Sequence, residues 1–284
     1  MRNLFTYFPV LEDLTIDGTI GDDNLNLNIN APELRTLTIC LCAEAKDEDE
    51  DEYEGSEDDE NEDHDVTGAY YFDIDHIPKL ETLSVRVDVP SYWKLKFGVL
   101  PAAKVIIDLY DHSASEHPTF AKRASALLKS VRYAQYLSLS AHCLEASSLP
   151  SFKKLKEAKL VLQDCNRLES LLLKILEGSP NLECLILDRE VDSCDCTSQC
   201  SEIPLETLQP VPFCLISNLK TVSIMRFRGL PEEVEVVKYL LKNSQVLKTM
   251  TISTLRTTCG DVEKVHENLR MCSRGSKTCE VEFM

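Results

Sequence analysis

The chain has 284 residues, with 48 acidic and 30 basic side chains and a formal net charge of −18. Fifteen of the acids and a single base, Lys46, fall within residues 44–65, so this tract carries −14 and the rest of the chain only −4. Such a field repels phosphate backbones and anionic lipid, which sets nucleic-acid and membrane-surface binding aside. Hydrophobic residues make up 43% of the chain, enough to build a core. No run of about 18 or more apolar residues offers a transmembrane helix. The stretch 1–9 has neither the apolar region nor the small-residue cleavage site of a secretory signal. A cytoplasmic or nuclear location is expected, with the twelve cysteines as reduced thiols.

Along the chain one frame recurs, Leu-x-x-Leu-x-Ile or close to it. It opens with Leu11-Leu14-Ile16 and Leu34-Leu37-Ile39. Between them residues 24–30 alternate strictly between Asn and an apolar residue, which predicts an extended connector. The acidic stretch 44–68 comes next. It is expected to be a disordered insertion, because a run of that composition buries no apolar surface. The frame returns as Leu80-Leu83-Val85 and, weakly, Ala102-Val105-Ile107. Apolar residues at 124, 127, 128 and 131 then predict a helix, followed by frames Ala134-Leu137-Leu139 and Leu155-Ala158-Leu160. A second helical stripe runs from Leu168 to Leu176 and ends at Gly178, ahead of Leu182-Leu185-Leu187 and Leu219-Val222-Ile224. A third stripe, at 234, 237 and 241, is entered through Pro231 and precedes Leu247-Met250-Ile252. A fourth, at 262, 265 and 269, has Asp261 as its expected N-cap.

The last two apolar residues of each frame are two apart, the period of a strand. One short strand per unit cannot bury its own apolar face, so units must stack and share a core through a parallel sheet. The pattern and period are those of leucine-rich repeats. The expected fold is an α/β, irregular leucine-rich-repeat solenoid with a parallel sheet on one face. Its connectors are strand-like early and helical late. Residues 1–203 would form the array and 204–284 a segment that completes and caps it.

Residues beside the buried frame positions point to the open side of the sheet. These are Thr36, Thr38, Thr82, Ser84, Tyr136, Ser138, Glu157, Lys159, Thr221, Ser223, Thr249 and Thr251. They form a candidate partner-facing surface, read as a neutral, hydroxyl-rich floor. Thr and Ser also serve simply as good sheet surface.

The stretch Ser179-Pro180-Asn181-Leu182-Glu183-Cys184-Leu185-Ile186-Leu187 resembles the repeat of plant F-box proteins with leucine-rich repeats. Residues 212–222 are similar to the opening of their FBD domain. Phe227-Arg228-Gly229-Leu230-Pro231-Glu232-Glu233 approximates its Phe-x-Gly-x-x-x-Glu centre, and 274–283 resembles its close. The resemblance implies a non-catalytic module that recognises a protein partner or ubiquitination substrate. No F-box opening precedes the first frame, so docking on a Skp–cullin ligase is expected only if an F-box is supplied elsewhere. Two alternatives stand beside this: a hormone-like small-molecule receptor on the same scaffold, using loops near 88–99 and 188–214, and a truncated, functionless paralogue.

Other chemistry is thinly represented. Cys194, Cys196 and Cys200 are a weak zinc candidate, lacking the Cys-x-x-Cys knuckle of most structural sites. No catalytic set and no cofactor site stands out. His142 and Cys143, adjacent on an expected strand, would point to opposite faces. Trp93 is expected in a loop. Lys153, Lys154 and Lys156 form the densest basic group, far below a nucleic-acid footprint.

Overall fold

The computed structural model describes residues 2–20, 25–43, 70–88, 93–110, 118–146, 148–162, 168–190, 210–254 and 262–284. In chain order the strands are β1 (Arg2–Tyr7), β2 (Asp13–Ile20), β3 (Leu25–Asn30), β4 (Thr36–Ala43), β5 (Tyr70–His76), β6 (Thr82–Asp88), β7 (Trp93–Phe97), β8 (Lys104–Tyr110), β9 (Tyr136–Ser140), β10 (Glu157–Leu162), β11 (Cys184–Arg189), β12 (Thr221–Phe227), β13 (Thr249–Thr254) and β14 (Glu280–Phe283). The helices are α1 (Pro118–Ser130), α2 (Ala141–Ala146), α3 (Leu168–Gly178), α4 (Phe213–Ser217), α5 (Pro231–Asn243) and α6 (Val262–Arg270).

Two all-parallel sheets result. The larger runs β2-β4-β6-β8-β9-β10-β11-β12-β13-β14, and the smaller runs β1-β3-β5-β7. Each early unit thus supplies a front strand and a back strand. After β7 the back strands stop and helices take their place. The local cause is the change of period: alternation of two across 25–30 makes β3, and stripes of 3.6 make α1, α3, α5 and α6.

The frames align in register. Leu14, Leu37, Leu83, Val105, Leu137, Ala158, Leu185, Val222 and Met250 occupy one row across the large sheet. Inside the sheet these rows are dry, with Leu37, Leu83, Val105, Ala158 and Leu185 all fully buried. A tenth member, Val281 of β14, joins the row although no apolar residue stands three before it, where the chain has Thr278.

Two backbone devices repeat with the frame. A turn precedes β4, β6, β9, β10 and β11, closed by bonds such as Leu34 N to Ala31 O, Leu80 N to Ile77 O and Leu182 N to Ser179 O. Pro32, Pro78 and Pro180 sit at the second position of these turns, where the fixed proline φ is already correct. At the strand entrance one carbonyl then accepts two successive N–H groups of the next unit. Glu12 O receives Arg35 and Thr36, Arg35 O receives Glu81 and Thr82, and the ladder continues through Glu81, Ala103, Gln135, Lys156, Glu183 and Lys220. Ion pairs follow part of the same line, Glu12–Arg35–Glu81 and Lys156–Glu183–Lys220.

Three local expectations differ from the structure. Trp93 opens strand β7 rather than lying in a loop. His142 and Cys143 lie on helix α2, because the strand ends at Ser140 and the chain turns back at once. Helices α2 and α4, of six and five residues, are too short to show a helical stripe and were not expected. The acidic stretch 44–68 and Asp261 lie outside the described residues.

Candidate functional site

The open face of the large sheet carries the candidate surface. Its first row contains Thr36, Thr82, Lys104, Tyr136, Glu157, Cys184, Thr221 and Thr249 in register. The second contains Thr38, Ser84, Ile106, Ser138, Lys159, Ile186, Ser223 and Thr251. Thr221 is exposed, and Thr36, Thr38, Thr82, Ser84, Tyr136, Glu157, Lys159, Ser223, Thr249 and Thr251 are half-buried. Ser138 is the exception. It is 7% exposed, flanked by Ile106 and Lys159, and so offers little to a partner.

The face is not the neutral floor expected. The strands run one step beyond the frame, and a residue of the same parity adds a third row: Asp17, Cys40, Arg86, Asp108, Ser140, Val161, Asp188 and Met225. This row is charged. Arg86 Nε donates to Asp108 Oδ2 at 3.1 Å. Ser140 Oγ accepts from Leu109 N and donates to Leu109 O, pinning the end of β8. Farther along, the Asp188 side chain is 7% exposed and lies 2.7 Å from Lys159 Nζ, with Arg226 on its other side. A carboxylate so covered needs its cations, because an unpaired buried charge costs several kcal/mol. The signal for these residues was present in the sequence, two positions past the second row of each copy.

Arg226 reaches Asp188 through an unusual backbone. Its φ is +57°, and the β12–β13 register shifts between Ile224 and Phe227. A non-glycine residue in that region costs about 1–2 kcal/mol. Next to it, Gly229 has φ +77°, where glycine bears no such cost. On the inner side, Glu233 of α5 holds this bend. Its Oε2 accepts from Arg228 N at 2.9 Å and Leu230 N at 3.1 Å, and its Oε1 accepts from Arg189 Nε at 3.0 Å. The Phe227-x-Gly229-x-x-x-Glu233 spacing is thereby explained. The glycine turns the chain, the glutamate closes the turn onto the helix start, and Phe227 is fully buried.

Thiol chemistry is muted. Burial pushes the Cys143 thiol up to about 12, and Cys214 up to about 11, so both stay protonated. With Cys143 inert and on a helix, His142–Cys143 is no base–nucleophile pair. Among the described residues no group of three His, Cys, Asp or Glu side chains could hold a metal ion. The candidates Cys194, Cys196 and Cys200 lie outside the described residues. Of the loops expected to shape a ligand pocket, Gly98 and Val99 line a cavity of about 230 Å³ with Ile74, Ile77, Pro78, Leu100 and Pro101. That lining has no polar side chain to orient a ligand. Of the basic group, Lys154 lies over the Tyr133 ring together with Arg132, and Lys156 pairs with Glu183. No helix among the described residues is long and apolar enough to cross a membrane.

Residues 207–252 match the FBD family model. The chain is similar to proteins of Arabidopsis thaliana that carry this domain. It is 35% identical over 107 residues to an FBD-associated F-box protein, covering 38% of this chain and 22% of that one. A putative FBD-associated F-box protein is 44% identical over 92 residues, 31% of this chain and 21% of its own length. The longest of these three matches, 27% identical over 219 residues, is to a putative F-box/FBD/LRR-repeat protein, covering 76% of this chain and 42% of the relative. The matched part of the chain therefore spans between 21% and 42% of the length of these relatives. The mixed α/β architecture with its large parallel sheet is consistent with a leucine-rich-repeat-like fold. No solved structure matches the chain.

Proposed function

We propose that the chain is a non-catalytic protein-interaction module: a solenoid of stacked strand–connector units whose open sheet face binds a protein partner. The carrying observation is the open face itself. It presents in-register rows of half-buried hydroxyls along the sheet, with the Lys159–Asp188–Arg226 cluster standing as a rigid charged anchor among them. Ordered strands can present such side chains at little entropic cost on binding. The segment 204–284 continues the stack and closes its end. Similarity to F-box relatives supports a role in selecting a protein for ubiquitination, with the Skp–cullin core reached through an F-box on a longer product or a companion chain.

The test is quantitative affinity purification of the chain beside a Thr221→Trp/Thr249→Trp variant, which fills the first row with two indoles. At least a tenfold loss of the same co-purifying proteins, with the melting temperature retained, is the expected result. Equal recovery by both would remove the face as the binding surface. Recovery of Skp and cullin with the unaltered chain would place it in a ligase directly.

A further inference from the structure

Along the edge where the strands of the large sheet begin, several cations have carboxylate partners. Arg35 pairs with Glu12 and Glu81, Lys79 with Glu33, and Lys156 and Lys220 with Glu183. The turns that lead into β9 and β10 break this pattern. Arg132, Lys153 and Lys154 are exposed there, with exposed Lys129 three residues ahead of Arg132 in the last turn of α1. None of these four has an acidic partner among the described residues. Two of them share one ring. The Arg132 guanidinium lies 5.0 Å and Lys154 Nζ 5.1 Å from the centre of Tyr133, and Arg132 Nη2 is 3.4 Å from its hydroxyl. Their charges therefore stand within about 10 Å of each other, roughly a Debye length, with no anion set between them. The phenol registers this field: the Arg132 hydrogen bond first, then the Arg132 and Lys154 charges, hold its pKa below the usual value.

An apolar cavity opens next to this group. The turn 98–101, which leads into β8, lines a space of about 230 Å³ together with Ile74, Ile77 and Pro78, and its Val99 is 54% exposed. The backbone joins the cavity to the cations. Leu100 N donates to Ser130 O at 2.9 Å, two residues before Arg132, and Ala103 O accepts from Gln135 N and Tyr136 N. The volume falls short of the ~300–1,000 Å³ of small-molecule sites, so the cavity suits one side chain of a macromolecule better than a free ligand.

We infer that this edge binds an extended acidic segment of a partner protein. One Leu, Ile or Phe of the segment sits against Val99, and its carboxylates meet Arg132 and Lys154. Charge complementarity selects this occupant. A chain of net charge −18 repels an acidic partner almost everywhere, so a patch of unpaired cations fixes where such a partner can approach. Nucleic acid is served less well, because four cations neutralise few phosphates and the cavity beside them takes an apolar group. Ala43 and Tyr70, which flank the chain's own acidic tract, lie where β4 ends and β5 begins, about 26 Å along the eight-residue strand from these turns. The surface belongs to the edge of the sheet and does not rest on the reading of the open face.

The probe is a set of short fluorescein-labelled peptides of Glu and Asp with a single Leu at a varied position, titrated by anisotropy into the full chain. Saturable binding is expected. Arg132→Glu/Lys154→Glu should weaken it at least about tenfold. Replacing the peptide Leu by Ser, or Val99→Ser in the chain, should weaken it about fivefold. Thr221→Trp/Thr249→Trp should leave it unchanged, which separates this edge from the open face. If the charge reversal lowers the melting temperature, Arg132→Gln/Lys154→Gln is read in its place, with a smaller loss of affinity expected. No saturable binding to the unaltered chain would overturn the inference. So would binding indifferent to these cations or to the peptide Leu, or equal affinity for a single-stranded oligonucleotide of the same charge. Binding seen only once residues 44–69 are replaced by a Gly-Ser linker would give the surface to the chain's own tract, and would overturn it too.

Discussion

Single residues at the bend after β12 and near the β14 end of the sheet carry more than their size suggests. Gly229 and Gly275 are both required, for different reasons. A Cβ at Gly229 would meet only ordinary contacts at 3.8 Å, so the obstacle is φ +77° alone. At Gly275 a Cβ would lie 2.6 Å from Lys242 O and 2.9 Å from Ser244 O, a clash with backbone. Gly229→Ala is expected to cost about 1–2 kcal/mol and Gly275→Ala about 1–3 kcal/mol. The discriminating measurement is thermal unfolding of the Asn variants: Gly229→Asn recovers part of the loss, because Asn tolerates the left-handed region, and Gly275→Asn recovers none. Glu233 is the most sensitive polar position. Glu233→Ala removes a buried charge partner of Arg189 and the acceptor of two backbone N–H groups, and about 3–5 kcal/mol of destabilisation is expected in urea titration. Arg189→Met is expected to cost less, since the carboxylate keeps its two N–H donors. His266 sets a pH limit. Burial, and then Arg270, hold its pKa below 6.5, with Glu263 opposing. The neutral imidazole is favoured in the folded chain, so its stability is complete above pH 6.5 and falls as pH drops through the lowered folded value. The melting temperature should decline on that acid limb, and His266→Phe should flatten it.

At the scale of elements, each strand is stable only through its neighbours. The cost of truncating a frame residue should therefore depend on its distance from an end. Leu185→Ala, fully buried in β11, is expected to cost about 2–5 kcal/mol. Leu14→Ala, half-buried at the β2 edge, should cost less than about 2 kcal/mol. Equal losses measured by denaturant unfolding would contradict this dependence on position. The exposed ladder pairs, such as Lys220–Glu183, are screened by solvent and act more to hold register than to add stability. The frame, the helices α1, α3, α5 and α6, and the extended back strand β3 were legible because each shows its own period over enough residues. Helices α2 and α4 were not, being too short to show one. Strand β14 was missed as a unit because Thr278 breaks its frame.

For the whole molecule, the charge of −18 is an uneven quantity. Residues 44–69 carry −14 of it, between β4 and β5, a connection that residues 21–24 make between β2 and β3 in four residues. Replacing 44–69 by a four-residue Gly-Ser linker should leave the melting temperature within a few degrees and bring the net charge near −4. Anion-exchange elution at lower salt, with unchanged circular dichroism, is the expected outcome. A large loss of stability would show that the tract takes part in the fold. The open face keeps its own balance of charge: Arg86, Lys159 and Arg226 stand beside Asp108 and Asp188 whether or not the tract is present.

The sequence by itself determined the repeat, its register and the side on which the apolar rows fall, because hydrophobic period and turn prolines are local and additive. It also held the FBD resemblance, whose Phe-Gly-Glu spacing is a contiguous motif. Only the tertiary structure decided what the sheet's third row does. Lys159, Asp188 and Arg226 come from three strands, and their charges become one cluster only when the register brings them within hydrogen-bond range. It alone placed Arg274 Nη1 on the Cys279 carbonyl and the His266 ring on Phe283. No local pattern marks these contacts, since they depend on which groups meet once the units have stacked.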